Sequence, residues 1–157
     1  MKDDSIKVEP EKIFFQSIRV LKSGIGRGGN ASIELSEKLR ATIQALQSVN
    51  IEGNGVQIIL IITIEGLNNK EELIAIEAMF EIEFIFTIDN LSSFIIEKDE
   101  EKKTVKTDAN LGMILLGTSC STARGIIHSR LLGTALDGYV LPLVNARTLL
   151  SGNSVSE

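Results

Sequence analysis

The chain has 157 residues, 43% of them hydrophobic and 24% charged, with a net charge of −5 and a pI near 5.0. A chain of this size and apolar content makes one domain with a real core, and its acidic balance with scattered Lys and Arg argues against a nucleic-acid partner. A single cysteine, Cys120, excludes an intrachain disulfide and a cysteine-based zinc site and fits the reducing cytoplasm.

The first residues, MKDDSIKVEPEK, carry no apolar signal core, and no run reaches the ~18 apolar residues that span a bilayer. The whole chain, 1–157, reads as one domain with flexible ends at 1–11 and 151–157. Ile13 to Lys22 (IFFQSIRVLK) predicts a first strand, followed by a glycine-rich loop and a short strand at Ala31–Leu35. Over Ser36 to Val49 the apolar positions Leu39, Ile43, Leu46 and Val49 fall near helical spacing behind Ser36 as N-cap, so a helix is expected there.

Val56 to Glu65 (VQIILIITIE) is rich in β-branched residues and runs into Gly66-Leu67-Asn68-Asn69, a turn by composition. From Glu72 to Ile88 the chain alternates: Ile74, Ile76, Ala78, Phe80, Ile82, Phe84, Phe86 and Ile88 share one side, Glu77, Glu81, Glu83 and Thr87 the other. The two strands should pair as a hairpin. Fully extended at roughly 3.3 Å per residue, the second would exceed the ~40 Å breadth of a compact chain of this length, so a bend, a bulge or an extended oligomer is required. The mixed-charge stretch from Ile95 to Asp108 (IIEKDEEKKTVKTD) predicts a solvated loop.

Asn110 to Leu132 predicts a long helix, broken by Gly133-Thr134. An apolar extended stretch around Pro142 follows, then a short helix opening after Asn145. On the long helix Met113, Leu116, Cys120, Ala123 and Ile127 form one stripe, and Leu111, Leu115, Thr118, Thr122 and Ile126 form a second. One stripe covers the sheet and the other needs a partner, which points to a homo-oligomer with Leu111, Leu115, Thr118, Thr122 and Ile126 at the interface. Small residues at Gly117, Ser121, Ala123 and Gly125 would admit another backbone. Arg124, buried near that interface, needs a carboxylate or carbonyl partner. Strands first and helices last make an α+β fold: a four-stranded antiparallel sheet with a long helix and a short C-terminal helix packed on one face.

Chemistry is sparse. Gly24 to Gly29 satisfies G-x-G-x-x-G after a strand, but no helix opens behind it, so no cofactor is expected. Ser119-Cys120-Ser121 lacks the glycines of a nucleophile elbow, and His128 lies about 12 Å along the helix from Cys120. Cys120 reads as a small core residue. Glu97, Asp99, Glu100 and Glu101 lack metal-ligand spacing, so no metal site and no enzyme is expected.

The Ala123-Arg124 pair in mid-helix, the Gly133-Thr134 step and the closing Leu141-Pro142-Leu143-Val144-Asn145 run resemble, in order and spacing, the end of SecB-type protein-export chaperones. That resemblance implies an ATP-independent holdase, a homotetramer built as a dimer of dimers, with sheets outside and long helices between. Its partners would be unfolded preproteins and the secretion motor, or, as in SecB-like chaperones of toxin–antitoxin systems, an antitoxin. Phe84, Phe86, Phe94, Leu136, Tyr139, Val140, Leu141, Leu143 and Leu149 are the candidate walls of a client groove. The weakly charged tail Ser151–Glu157 departs from the acidic end of motor-docking members, although Glu77, Glu81 and Glu83 on the sheet offer acid to a basic partner. The remaining alternative is a structural or adaptor domain whose apolar surface is consumed in self-assembly.

Overall fold

A computed structural model describes residues 6–26 and 38–151 in full and Val155–Ser156 by backbone alone. The strand expected at Ala31–Leu35 and the second half of the glycine motif lie outside the described residues, as do positions 1–5, 152–154 and 157 of the ends expected to be flexible.

Four long strands, β1 (Ile13–Ile25), β2 (Lys38–Asn50), β3 (Gly55–Leu67) and β4 (Leu73–Ile88), form one antiparallel sheet in the order β1-β4-β3-β2. A small hairpin, β5 (Ile95–Asp99) and β6 (Thr104–Thr107), leads into α1 (Ala109–Leu131). The chain then closes with α2 (Ala146–Leu150) and a two-residue strand, β7 (Val155–Ser156), paired to Thr42 and Ile43 on the edge of β2. This is the expected α+β architecture, with α1 resting on β3 and β4 and α2 against β2.

The core follows from alternation. Val56, Ile58, Leu60, Ile62 and Ile64 of β3 and Ala78, Phe80, Ile82, Phe84, Phe86 and Ile88 of β4 are buried, and directly opposed residues of the two strands share a face. Burying these β4 side chains alone stabilises the fold by on the order of 10 kcal/mol in area bookkeeping. The hairpin expected between them is present. Asn68 makes its turn, accepting from the backbone N–H of Lys70 and Glu72 at 2.9 and 3.0 Å. Of the bend, bulge or extended oligomer that the length of β4 called for, a bulge is present, as a shift between Ile64 and Glu65. Its effect is to pair Ile76 with Glu65 and Ala75 with Gly66, so Ile74 and Ile76 do not continue the buried face that begins at Ala78.

Two expectations are corrected. The helix expected over Ser36 to Val49 does not form: Lys38–Asn50 is β2, paired to β3 without a register shift. The apolar residues also fit a period of two, Leu39, Ala41, Ile43, Ala45, Val49, a signal masked by the alanines. Pairing with a strand as apolar as β3 then overrides a weak helical pattern. The turn that makes this hairpin was written in Asn50–Gly55: Asn50 Oδ1 accepts from Gly53 N at 3.1 Å, and Asn54 takes φ +51°. The loop expected between Ile95 and Asp108 is instead the β5–β6 hairpin. Its charged side chains are solvated, but its backbone is paired, anchored by buried Phe94, whose carbonyl accepts from Asp108 N at 2.8 Å.

Asp108 caps α1, its carboxylate accepting from Asn110 N and Leu111 N at 2.9 and 3.3 Å. At the far end Gly133, at φ +72°, breaks the helix, and the Thr134 hydroxyl donates to the Leu131 carbonyl at 2.7 Å. Residues 139–145 then run back along α1 as an irregular strap, ending at Asn145, whose side chain caps α2.

Candidate functional site

No catalytic arrangement assembles around the polar residues of α1. Cys120 is buried, and burial pushes its thiol up to about 11, while His128 is exposed further along the helix. Among the described residues no three His, Cys, Asp or Glu side chains come together as a metal site.

The nine groove candidates separate into three groups. Phe84, Phe86, Phe94, Leu136, Leu141 and Leu149 are core residues of the single chain, Leu141 at 2% exposure. Tyr139 is half-buried, and burial raises its phenol above the usual range. Val140 and Leu143 stand out of the strap, at 56% and 78% exposure. The strap therefore alternates: Leu141 is fastened inward between two residues presented to solvent.

The interface candidates divide too. Leu111 and Leu115 are buried within the chain, whereas Thr118, Thr122, Arg124 and Ile126 are half-buried. Thr118 and Thr122 donate to carbonyls one turn earlier, Ile114 and Thr118, at 2.8 and 2.9 Å. Beside them Ile114 is exposed, and a Cβ added at Gly117 or Gly125 would meet nothing within 4 Å. Arg124 finds the carbonyl partners it needs inside its own chain: Nε donates to the Leu141 carbonyl at 2.8 Å and Nη2 to that of Pro142 at 3.2 Å.

A third apolar surface was not read from sequence. β1 is the sheet's edge strand, and Phe15 and Ile18 on the helix side stand opposite Phe86 and Phe84. Phe15 packs its ring 4.7 Å from that of Phe86 and 6.4 Å from Phe84, extending the core's aromatic surface outward. Yet Phe15 is 44% and Ile18 41% exposed, because the helices lie over the strands beyond. Two register shifts, at Phe15/Ser17 and Val20/Lys22, break the alternation of IFFQSIRVLK. That, with the adjacent Phe14 and Phe15, hid which residues share a face. Where the end of β1 meets the start of β4, a depression of about 450 Å³ is lined in part by Gly24, Ile76 and Met79, on the opposite face of the sheet.

The opposite face of the sheet carries ion pairs. Glu83, 5% exposed, accepts from Arg19 Nε and from Gln57 Nε2, both at 2.6 Å. The Arg19 hydrogen bond holds its carboxyl below the usual range, against the opposing effect of desolvation. Glu81 pairs with Lys22 at 3.0 Å and Glu65 with Arg40 at 2.6 Å. Of the acid expected to face a basic partner, Glu81 and Glu83 are thus engaged by β1.

A four-stranded antiparallel sheet, covered on one side by a long helix and a short one with the strap between them, is a SecB-like fold. The arrangement is similar to that of a Mycobacterium tuberculosis SecB-like chaperone, Rv1957, solved in complex with a ChAD peptide from the HigA1 antitoxin. The TM-score is 0.53 at 14% sequence identity, over 86% of this chain and 92% of that one. No protein-family model and no curated protein matches the sequence. The likeness read in the closing segment holds at the level of the fold. Among the described residues no helix is long and apolar enough to cross a membrane.

Proposed function

We propose that the protein is a non-enzymatic, ATP-independent holdase of the cytoplasm that binds extended segments of unfolded or aggregation-prone polypeptides. The observation that carries this reading is β1. Among the described residues no strand pairs with the outer edge of this 13-residue strand, and its inner face presents Phe15 and Ile18, 44% and 41% exposed, against the aromatic core. Such an edge takes an extended chain by strand addition, with alternate side chains seated on the apolar face. Val140 and Leu143 on the strap supply a second apolar contact.

A dedicated antitoxin client is favoured over general export by one observation: the similar solved structure holds an antitoxin peptide. Assembly into a homotetramer, a dimer of dimers with α1 helices facing each other, would use Ile114, Thr118, Thr122 and the open glycines 117 and 125. The competing structural or adaptor reading predicts that self-assembly consumes β1 and the strap alike.

Binding of reduced, carboxymethylated α-lactalbumin, followed by fluorescence anisotropy without nucleotide, tests the proposal. Saturable binding is expected, weakened about fivefold or more by Ile18→Asp or Leu143→Asp, roughly 1 kcal/mol or more, with an unchanged far-UV spectrum. Absence of binding by a well-folded wild type would leave the adaptor reading standing.

A further inference from the structure

The strap has one polar tether. Among the described residues the backbone of positions 140–144 makes no hydrogen bond except the two accepted by Leu141 and Pro142 from Arg124. Pro142 has no N–H of its own to give. No carboxylate within the described residues pairs with Arg124, so its charge is answered by those carbonyl dipoles. The strap's far end is fixed by packing: a Cβ on Gly112 would sit 2.7 Å from Leu150 Cδ2, so α2 lies directly on the first turn of α1. From Gly112 to Arg124 is about 18 Å along the helix axis. Over that span the guanidinium is the strap's polar anchor, beside the packing of Leu141, Tyr139 and Val144 against the core, while Val140 and Leu143 stay exposed.

We propose that Arg124 is a positioning residue for the apolar rim of the peptide-binding surface, clamping the Leu141 and Pro142 carbonyls so that Val140 and Leu143 are presented before a client arrives. The inference rests on the holdase reading. A planar fork with several N–H donors engages two successive carbonyls at once, which the single ammonium of lysine cannot do in the same way. A rim held in advance removes an ordering cost from binding, and its loss is felt mainly in the dissociation rate.

Tyr139, at the start of the strap, is the chain's only tyrosine, and there is no tryptophan. Intrinsic fluorescence therefore reports on this segment alone. In Arg124→Met, which keeps the apolar stem and removes the donors, acrylamide quenching of Tyr139 at 25 °C should rise at least about twofold as the strap opens locally. Arg124→Lys should fall between Met and wild type. Client dissociation should quicken about fivefold in Arg124→Met, the signature of a lost contact surface. If Arg124 only stabilises the fold, the melting temperature drops while quenching in the folded state stays at the wild-type value, and the proposal fails. Should Arg124→Met not fold, Arg124→Lys decides: quenching equal to wild type overturns the claim. A wild type that binds no client sinks the holdase reading, and with it a rim for clients. Unchanged quenching in a client-binding variant sinks the positioning claim alone.

Discussion

Glu83 shows how a charged residue can be buried on a sheet and still report on it. It sits between Arg19 on β1 and Gln57 on β3, so one carboxylate joins three adjacent strands across the sheet. Arg19→Ala leaves that carboxylate with Gln57 alone and should destabilise the chain by about 1 kcal/mol, below the ~1.5–3 kcal/mol of hydrogen bonds to charged groups because Arg19 is mostly solvated, measurable by urea denaturation. Because its folded pKa is lowered, the pair's contribution is complete above the ordinary carboxylate pKa and is lost as pH falls below it. Cys120 has the opposite sign. Its thiol is raised from 9.0 to about 11, so the unfolded chain ionises first and stability declines as pH rises from 9 to 11. Removing the thiol with Cys120→Ala should flatten that alkaline decline in a denaturation series; an equal decline in the variant would assign it elsewhere. At this scale the sequence showed Cys120 as a core residue and Arg124 as a group in need of a carboxylate or carbonyl, of which the structure supplies carbonyls. It did not show that Leu141 and Leu143, two residues apart, would divide into core and surface.

At the scale of elements, legibility followed the strength of alternation. β3 and β4 were readable because large β-branched and aromatic residues recur at every second position. β2 was not, since Ala41 and Ala45 carry its inward face and Leu39, Ile43, Leu46 and Val49 mimic a helix. β1 was recognised as a strand, but its two bulges and its edge position, which depend on pairing partners far along the chain, lie beyond any local pattern. In α1 the two-stripe reading was informative in a different way. The chain buries Leu111 and Leu115 itself and leaves Gly117 and Gly125 facing open space. Among the described residues nothing requires glycine there, and each costs about 1 kcal/mol of helix propensity relative to alanine. The Gly117→Ala, Gly125→Ala double variant should therefore stabilise the helix yet loosen the proposed assembly. Light-scattering mass should show a smaller particle at low micromolar concentration; an unchanged mass would place these glycines away from any subunit contact.

The whole molecule is an asymmetrically covered sheet. The helices lie over β2, β3 and β4, while among the described residues no strand pairs with the outer edge of β1, and its Phe15 and Ile18 are partly exposed. On the proposed reading a second copy or a client covers this strip. The order of the closing segment, helix, Gly-Thr break, strap and short helix, was legible from Asn110 to Leu150, and with it the SecB-like fold. Which strip meets which partner was not, because that follows from what the helices fail to cover. If part of this surface stays available to non-native chains, the protein at equimolar protomer and without ATP should strongly suppress the light scattering of an aggregating client, and Ile18→Asp and Leu143→Asp should diminish that suppression. Aggregation as fast as in the protein's absence, for unfolded globular clients and antitoxins alike, would contradict it.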